Sequence, residues 1–462
     1  MMRSNRYGKV VALCLLLFLF AHMPLQGQTA LKIIRENPKF SASNYCIYPD
    51  SGLNNQTPPP DGKKPFYISH YGRHGSRYLS NYKGYEIPYE MLSHADSLGK
   101  LTPVGQRVLH EMKDIIADSE GRWGDLTGIG KKQQRDIAAR MVDNFPEVFK
   151  GNAFVNARST IVTRCMLSMG SALQAMVAKN PQLQIDMNSS YSDMWYLNYQ
   201  DKLLRDSMMN SRAKKAYDEF REKRSRNPRL MSLLFNDSAY VRESVNEVDM
   251  NYYLLKTALV QQNTRMSLRE NYLLTLFESE DIHRFWQCEN AWWYITYGPS
   301  QINGGLQPLT QRYLLRKIIA DADSILAMDT HGASLRFGHE TVVLPLVCLM
   351  GLNGYDYQTS NLEILEEDGW WSCLVFPMAS NVQIIFYRKD FKDKDVIFKV
   401  LLNEKEAHLP LPNDMAPFYR WRDFRTYYLQ KLEKGESALA RERQRVHSHL
   451  LDHSQQTIGT GW

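Results

Sequence analysis

Two arginines flank a histidine in the stretch Arg73-His74-Gly75-Ser76-Arg77. A guanidinium group matches phosphate oxygens in pairs and keeps its charge at any working pH. An imidazole is a competent nucleophile through one nitrogen when the other nitrogen is held as a donor. Glycines at positions 72 and 75 let the backbone approach a ligand closely. The stretch therefore predicts chemistry on a small anion, and the alternative is a surface turn with incidental charges.

A third arginine, Arg164, lies where a predicted strand at 153–158 passes into a predicted helix. Thr160 or Thr163 is expected to cap that helix. The free N–H groups and the positive end of a helix form an anion site, so Arg164 is a candidate phosphate ligand. Taken alone, an arginine in a first helical turn is also typical of a solvated surface.

His339 and Glu340 follow a short apolar run at 335–337 and precede an apolar helical segment at 342–352. A histidine in this place can hydrogen-bond a transferring phosphoryl group, and a protonated carboxyl group can donate to a leaving alkoxide. The alternative is that Glu340 only complements the positive end of the helix.

These side chains need a scaffold that brings the ends of several strands together. A β-prone run at 66–71 leads into the arginine-histidine loop, and open α/β sheets bind ligands at the carboxyl ends of strands. The segment 101–149 has a helical pattern with two turn-then-helix starts. Apolar runs at 373–378, 382–387 and 398–403 predict further strands. Strands and helices at both ends of the chain predict an α/β core.

The 462 residues exceed one typical domain, which predicts two domains or one core with a large insertion. Charged, aromatic-rich sequence with few strand signals favours a helical insertion at 186–300. We therefore expect the α/β core to be formed by two segments of the chain, the first at 29–185 with a helical excursion at about 86–150. The second core segment, together with a C-terminal tail, is expected at 301–462.

The N-terminus predicts a signal peptide over residues 1–28, because Arg3, Arg6 and Lys9 precede an apolar run at 10–21. An uncleaved membrane anchor is the alternative, although the run is short for a span. No other segment predicts a span, so the mature chain is expected to be soluble. The signal peptide predicts export to the periplasm, the medium or the cell surface. Cleavage lowers the formal net charge from +6 to +3, which suits an anionic substrate and not a nucleic acid.

Five cysteines remain after residue 28, and none forms a Cys-x-x-Cys pair. An odd number without that spacing predicts neither a zinc site nor a full disulfide framework. One or two bridges would fit an oxidising compartment.

The motifs, taken in order, resemble the histidine acid phosphatases: Arg-His-Gly-x-Arg after a strand, Ser159-Thr-x-x-x-Arg164, and Gly338-His339-Glu340. Gly-Asp-Leu-Thr-Gly-Ile-Gly at 124–130 and Leu-Pro-Leu at 344–346 resemble the multiple inositol polyphosphate phosphatase branch. That branch usually has His-Ala-Glu where this chain has His-Glu, which resembles the His-Asp of other acid phosphatases and many phytases.

This resemblance implies a histidine-phosphatase-type sheet core flanked by helices, with a mostly helical inserted domain covering the active site and no metal or cofactor. It implies that His74 is the nucleophile and Glu340 the proton donor. It also implies that Arg73, Arg77, Arg164 and His339 hold the phosphate.

The resulting prediction is an exported phosphomonoesterase that hydrolyses inositol polyphosphates such as phytate through a covalent phosphohistidine. One alternative is a broad-specificity or sugar-phosphate-directed acid phosphatase on the same core. A phosphoglycerate-type mutase fits less well, because those chains are typically shorter and lack a large helical insertion. A further alternative is a non-catalytic phosphate-binding surface protein.

Overall fold

The computed structural model describes residues 29–49, 53 and 56–458, without the side chains of 447–458. The predicted signal peptide at 1–28 lies outside these residues. One eight-stranded sheet forms the centre of the fold. Its strands are β1 (Lys64–Arg73), β2 (Phe154–Ser159), β3 (Gln184–Ser189), β4 (Gly332–Gly338), β5 (Asn381–Arg388), β6 (Ile397–Leu402), β7 (Lys405–Ala407) and β8 (Tyr419–Arg420).

The sheet has the strand order β3-β2-β4-β1-β5-β6-β7, and β8 pairs with β6. Strands β3, β2, β4 and β1 are mutually parallel, and β5 joins β1 in antiparallel orientation. In the parallel register Arg73 lies opposite Gly338, and Ser159 lies opposite Phe337. The last residues of β1, β4 and β2 therefore meet at one edge of the sheet.

Helices surround this sheet and fill the two long connections between its strands. They are α1 (Ala30–Glu36), α2 (Lys83–Ser97), α3 (Pro103–Ser119), α4 (Gly128–Asn144), α5 (Thr163–Lys179), α6 (Met194–Leu197), α7 (Lys202–Ser207), α8 (Ser211–Glu222), α9 (Pro228–Leu234), α10 (Ser238–Ser244), α11 (Glu247–Val260), α12 (Ser279–Tyr297), α13 (Arg312–Leu326), α14 (Glu340–Met350), α15 (Ser372–Val375) and α16 (Trp421–Ile458). Short 3-10 helices cover Pro38–Tyr45, Tyr191–Asp193, Gln261–Asn263, Arg265–Leu268, Tyr272–Leu276, Gln301–Asn303, Gln307–Gln311, Leu352–Gly354 and Leu362–Ile364.

The central strands β1 and β5 are buried on both faces, which their successive side chains reach alternately. Tyr67 joins a core formed with α13, α14 and α16, whereas its neighbour Ile68 joins a core formed with α4 and α5. Another apolar core packs α2 and α3 against α9, α11 and α12. That core connects the excursion after β1 to the helices of the 186–300 region.

The predicted α/β class, with a central sheet and many helices, is confirmed. The main error in the predicted elements is the strand at 373–378, because this run forms α15 and a loop. Cys373 and Met378 of this run pack against residues of the N-terminal segment, and periodicity cannot separate a short apolar strand from a buried helical turn.

Strand β3 extends past residue 185, the predicted end of the first core segment. It is an edge strand with mostly exposed side chains, so it lacks the apolar run that marks a buried strand. The proposed domain division stays a prediction.

Among the residues that the structure describes, no helix is long and apolar enough to cross a membrane. The five cysteines of this region of the chain are buried thiols without disulfide bonds. The neighbouring Cys373 thiol and burial raise the pKa of Cys46 well above its usual value.

Candidate active site

Three neighbouring strands end at the candidate site, and each supplies the residue that follows it. His74 follows β1, Thr160 follows β2 and His339 follows β4. The His74 N–H donates to the Gly338 carbonyl oxygen at 3.0 Å, and the Thr160 N–H donates to the Phe337 carbonyl oxygen at 3.0 Å. The ladder of the parallel sheet therefore fixes where these three side chains begin, at the edge where such sheets bind ligands.

The His74 ring is fully buried and held in one tautomer. Its Nδ1–H donates to the Gly75 carbonyl oxygen at 2.9 Å, which leaves the lone pair on Nε2. Nε2 has no hydrogen-bond partner among the described residues. Burial, with the charges of Arg73 and Arg77, lowers the pKa of His74 well below its usual range despite the opposing effect of Glu340. The imidazole is therefore neutral at mildly acidic pH, as a nucleophile must be.

The guanidinium groups of Arg73 and Arg77 are buried beside this ring. Arg73 Nη1 donates to the Phe376 carbonyl oxygen at 2.7 Å, and Arg77 Nη1 donates to the Tyr45 hydroxyl at 2.8 Å. Arg73 Nε faces the Glu340 carboxylate at 3.0 Å, whereas Arg73 Nη2 and Arg77 Nε have no hydrogen-bond partner in the described region of the chain. These unused donors can bind the oxygens of an anion.

Arg164 is half-buried in the first turn of α5, and its Nε is likewise unpartnered among the described residues. Burial and the nearby charge of Arg77 lower the pKa of Arg164. The expected threonine cap is wrong, because the cap position is Val162, without a side-chain hydrogen bond. Thr160 instead places its hydroxyl 3.2 Å from His339 Nε2.

His339 is buried with its ring centroid 5.8 Å from that of His74. Burial and the nearby charge of Arg164 lower the pKa of His339 to about 4. A neutral ring here can donate one hydrogen bond to an oxygen beside His74.

The Glu340 carboxylate lies between the two buried arginines. Its Oε2 is 3.0 Å from Arg73 Nε and 3.5 Å from His74 Nε2, and its Oε1 is 3.5 Å from Arg77 Nη2. Burial would raise the pKa of Glu340, but the charge of Arg73, the nearby His74 ring and the charge of Arg77 outweigh it and hold the pKa well below its usual value. The carboxyl group is therefore ionised in this state and neutralises some of the positive charge.

His74, His339 and Glu340 could each offer a ligand atom to a metal, with the three atoms within 4.8 Å of one another. A cation at this place would meet the guanidinium groups of Arg73 and Arg77. Like charges in a buried site are strongly unfavourable. The arrangement thus favours an anion over a metal ion.

Residues that the sequence did not single out also reach the site. Asn44 Nδ2 donates to Glu340 Oε1 at 3.1 Å, and Tyr45 holds Arg77 through the hydroxyl contact described above. Asn263 Oδ1 accepts from the Ser76 hydroxyl at 2.7 Å. None of these three residues belongs to a periodic run or follows a predicted strand, so the sequence carried no signal that could have identified them.

A family model described as the histidine phosphatase superfamily, branch 2, matches residues 72–403. The human protein multiple inositol polyphosphate phosphatase 1 is 23% identical to the chain over 359 residues, which are 70% of each protein.

Two solved structures resemble the fold. One is the multiple inositol polyphosphate phosphatase of Bifidobacterium longum in complex with inositol hexasulfate, with a TM-score of 0.68 at 17% identity over 83% of this chain and 96% of that one. The other is the phytase from D. castellii, with a TM-score of 0.61 at 14% identity over 85% of each chain. Because the family model spans well over half of its residues, the chain belongs to branch 2 of the histidine phosphatase superfamily and is a histidine acid phosphatase.

Proposed function

We propose that the protein hydrolyses inositol polyphosphates such as phytate through a covalent phosphohistidine on His74. The observation that carries this proposal is the free Nε2 of a neutral, buried His74 among guanidinium donors without partners. The substrate class is supported by the names of the human and Bifidobacterium longum relatives and by the phytase among the similar structures.

In the first step, the Nε2 lone pair attacks the phosphorus atom and forms an N–P bond. The ester P–O bond breaks, and the leaving oxygen takes a proton from Glu340. Arg73, Arg77, Arg164 and His339 bind the phosphoryl oxygens and stabilise the charge that accumulates on them. Fixed donors in a buried site are usually the largest contribution to such a reaction.

In the second step, water attacks the phosphorus atom of the phosphohistidine. The Glu340 carboxylate takes a proton from that water, the N–P bond breaks, and inorganic phosphate leaves with the His74 lone pair restored. The acid of the first step thus becomes the base of the second.

Glu340 must gain a proton before it can act as the acid. A phosphate dianion that binds Arg73 and Arg77 competes with Glu340 for the same guanidinium groups and adds a negative charge beside it. Both effects raise the pKa of the carboxyl group. Substrate binding therefore supplies the protonated acid, most readily at mildly acidic pH.

Phosphate release separates this proposal from its alternatives. The purified protein is incubated with phytate, glucose 1-phosphate or an aryl phosphate at mildly acidic pH without added metal. Fastest release from phytate is expected, and His74→Ala should abolish it, whereas exposed His110→Ala on α3 should not. Equal or faster release from the simple esters would favour the broad or sugar-phosphate-directed alternative, and no release from any ester would favour the binding protein.

We also infer that the protein is exported after cleavage near residue 28, on the basis of the basic and apolar residues at 3–21. N-terminal sequencing of the protein recovered outside the cytoplasm should find a start close to residue 29. An intact N-terminus on a cytoplasmic protein would contradict export.

A further inference from the structure

The N-terminal 3-10 segment Pro38–Tyr45 places two consecutive side chains on the catalytic groups, although it precedes the residues matched by the family model. The amide of Asn44 contacts Glu340, and the hydroxyl of Tyr45 contacts Arg77. The guanidinium carbon of Arg77 also lies 4.9 Å from the centre of the Tyr45 ring. The segment therefore borders the site directly.

Several hydrogen bonds fix this segment in place. The Met378 N–H donates to the Cys46 carbonyl oxygen at 2.8 Å, next to the Ala379 N–H, which donates to the His74 carbonyl oxygen at 3.0 Å. Asn263 Nδ2 donates to the Tyr45 carbonyl oxygen at 2.7 Å. A fixed backbone on this side gives the Asn44 amide a defined position relative to Glu340.

The backbone immediately before Asn44 is strained. Ser43 is buried and has a φ of 53° and a ψ of −120°, and a positive φ is uncommon for residues other than glycine. Such conformations persist when the surroundings fix them, and they concentrate at functional sites. Here the turn at Ser43 precedes the two side chains that contact Glu340 and Arg77.

The two oxygens of Glu340 face different surroundings. Oε1 accepts a hydrogen bond from Asn44 and lies near Arg77 Nη2. Oε2 lies 3.0 Å from Arg73 Nε and 3.5 Å from His74 Nε2, the atom that would attack phosphorus. A proton on Oε1 would point at the N–H of Asn44, because the side-chain nitrogen of asparagine only donates. When the substrate phosphate binds Arg73 and Arg77, the Asn44 N–H still faces Oε1, so the carboxyl proton is directed to Oε2, on the side of the reacting atoms.

We propose that Asn44 is a positioning residue that holds Glu340 with its acidic proton on Oε2, toward the leaving oxygen. The inference rests on the proposed function, since it assigns Asn44 a role in the proton transfer by Glu340. Asn44 itself need not touch the substrate.

The first test compares Asn44→Ala with Asn37→Ala, which removes an exposed asparagine just before the same segment. Release of phosphate is measured on phytate, whose leaving group needs a proton, and on p-nitrophenyl phosphate, whose leaving group does not. Because a well-placed acid contributes roughly 100-fold or more, we expect Asn44→Ala to lower kcat on phytate by about 10-fold to 100-fold. The loss on p-nitrophenyl phosphate should be several times smaller, and Asn37→Ala should match the wild type on both esters.

The second test uses Asn44→Asp, which keeps the shape of the side chain and places a carboxyl group beside Glu340. Two neighbouring carboxyl groups raise the pKa of the one that stays protonated. The alkaline limb of the kcat–pH profile on phytate should therefore move upward by about 1 pH unit.

The proposal would be overturned if Asn44→Ala lost equal activity on phytate and p-nitrophenyl phosphate while the pH profile of Asn44→Asp did not move. Unchanged kinetics in both Asn44 variants would overturn it as well. A fall in Tm accompanied by such equal losses would assign Asn44 a merely structural role. These outcomes presuppose a wild-type protein that depends on His74. Activity that survives in His74→Ala would contradict the proposed function itself, so the two failures are distinguishable.

Discussion

At the scale of single residues, Glu340 has two properties that oppose each other. Its carboxylate pairs with Arg73 and lies near Arg77, and the mechanism requires the same group as an acid. Pairing with the arginines and acting as an acid are compatible only if the phosphate of the substrate binds the arginines in place of Glu340. Glu340 then behaves as an internal counter-ion that the substrate displaces.

Glu340→Gln tests this exchange. Because glutamine cannot donate a proton to the leaving oxygen, kcat on phytate should fall by about 100-fold or more, with a much smaller loss on p-nitrophenyl phosphate. Inorganic phosphate should inhibit the variant more strongly, since the competing charge is gone. Exposed Glu90→Gln on α2 is the control. Weaker inhibition by phosphate in Glu340→Gln would contradict the counter-ion role.

Buried histidines predict how the stability of the protein depends on pH. Burial lowers the pKa of His70 to about 3 and that of His339 to about 4. An unfolded histidine titrates near pH 6.5. Between about pH 6.5 and pH 4 the unfolded chain therefore binds protons that the folded chain does not bind. The free energy of unfolding should therefore fall as pH falls through this window.

Thermal unfolding between pH 7 and pH 4 measures this dependence. His70→Leu removes one of the protons involved, so its Tm should fall less over the window than the Tm of the wild type. Parallel Tm–pH curves for the two proteins would contradict the assignment to His70.

The sequence predicted the six residues of the candidate site as a set only through the resemblance to the histidine acid phosphatases, because Arg164, His339 and Glu340 each have an ordinary structural explanation when taken alone. It could not predict that Glu340 lies between Arg73 and Arg77. That position depends on how β1 and β4 align, and a pairing register is not written in either strand alone.

At the scale of elements, the arginine-histidine loop depends on close contact with the start of α4. A Cβ atom at Gly75 would collide with the Gly130 carbonyl oxygen, and one at Gly130 would collide with the Ser76 carbonyl oxygen. The Gln134 amide, one turn further along α4, donates to the Arg73 carbonyl oxygen at 2.8 Å. The helix therefore supports the loop from behind.

Gly130→Ala should push α4 away from the loop. Overpacking of this kind costs about 1–3 kcal/mol, and we expect activity to fall more than stability because the loop carries His74. Gly128→Ala is the matched control on the same helix, since its Cβ would have no described atom within 4 Å. Chemical unfolding and phytate assays of both variants measure the effect, and full activity in Gly130→Ala would contradict it.

The elements were predictable where periodicity is strong, as in α3, α4, β1, β5 and β6. The prediction for 373–378 failed because the run is divided between two cores: Cys373 and Met378 pack with the N-terminal segment, whereas Val375 and Phe376 pack in the core beside the sheet. Only the tertiary structure distinguishes these two ways of burying the same sequence.

At the scale of the whole molecule, three distant regions of the chain meet at Asn263, which is fully buried. Its amide nitrogen binds the Tyr45 carbonyl oxygen, and its amide oxygen binds the Ser76 hydroxyl. The 186–300 region, the N-terminal segment and the arginine-histidine loop are thus linked by one side chain. This link was not predictable, because residues 29–66 have no regular sequence pattern.

Asn263→Ala should separate these regions. Each buried partner left unsatisfied costs about 1–3 kcal/mol, so Tm should fall and kcat/KM on phytate should fall with it. Asn236→Ala is the control, because that exposed asparagine of the same region donates to the carbonyl oxygens of Gly99 and Leu101. It should change activity little. Equal activity losses in the two variants would contradict a special role for Asn263.

The whole mechanism depends on the passage of phosphate through His74. The most direct measurement mixes the enzyme with phytate, quenches the reaction in alkali within milliseconds, and locates the phosphoryl group on the digested protein by mass spectrometry. Covalent catalysis by His74 predicts phosphate on the peptide that contains this residue, and neither adduct nor turnover in His74→Ala. Phosphate on another residue would contradict it. Turnover that forms no adduct and continues in His74→Ala would also contradict it.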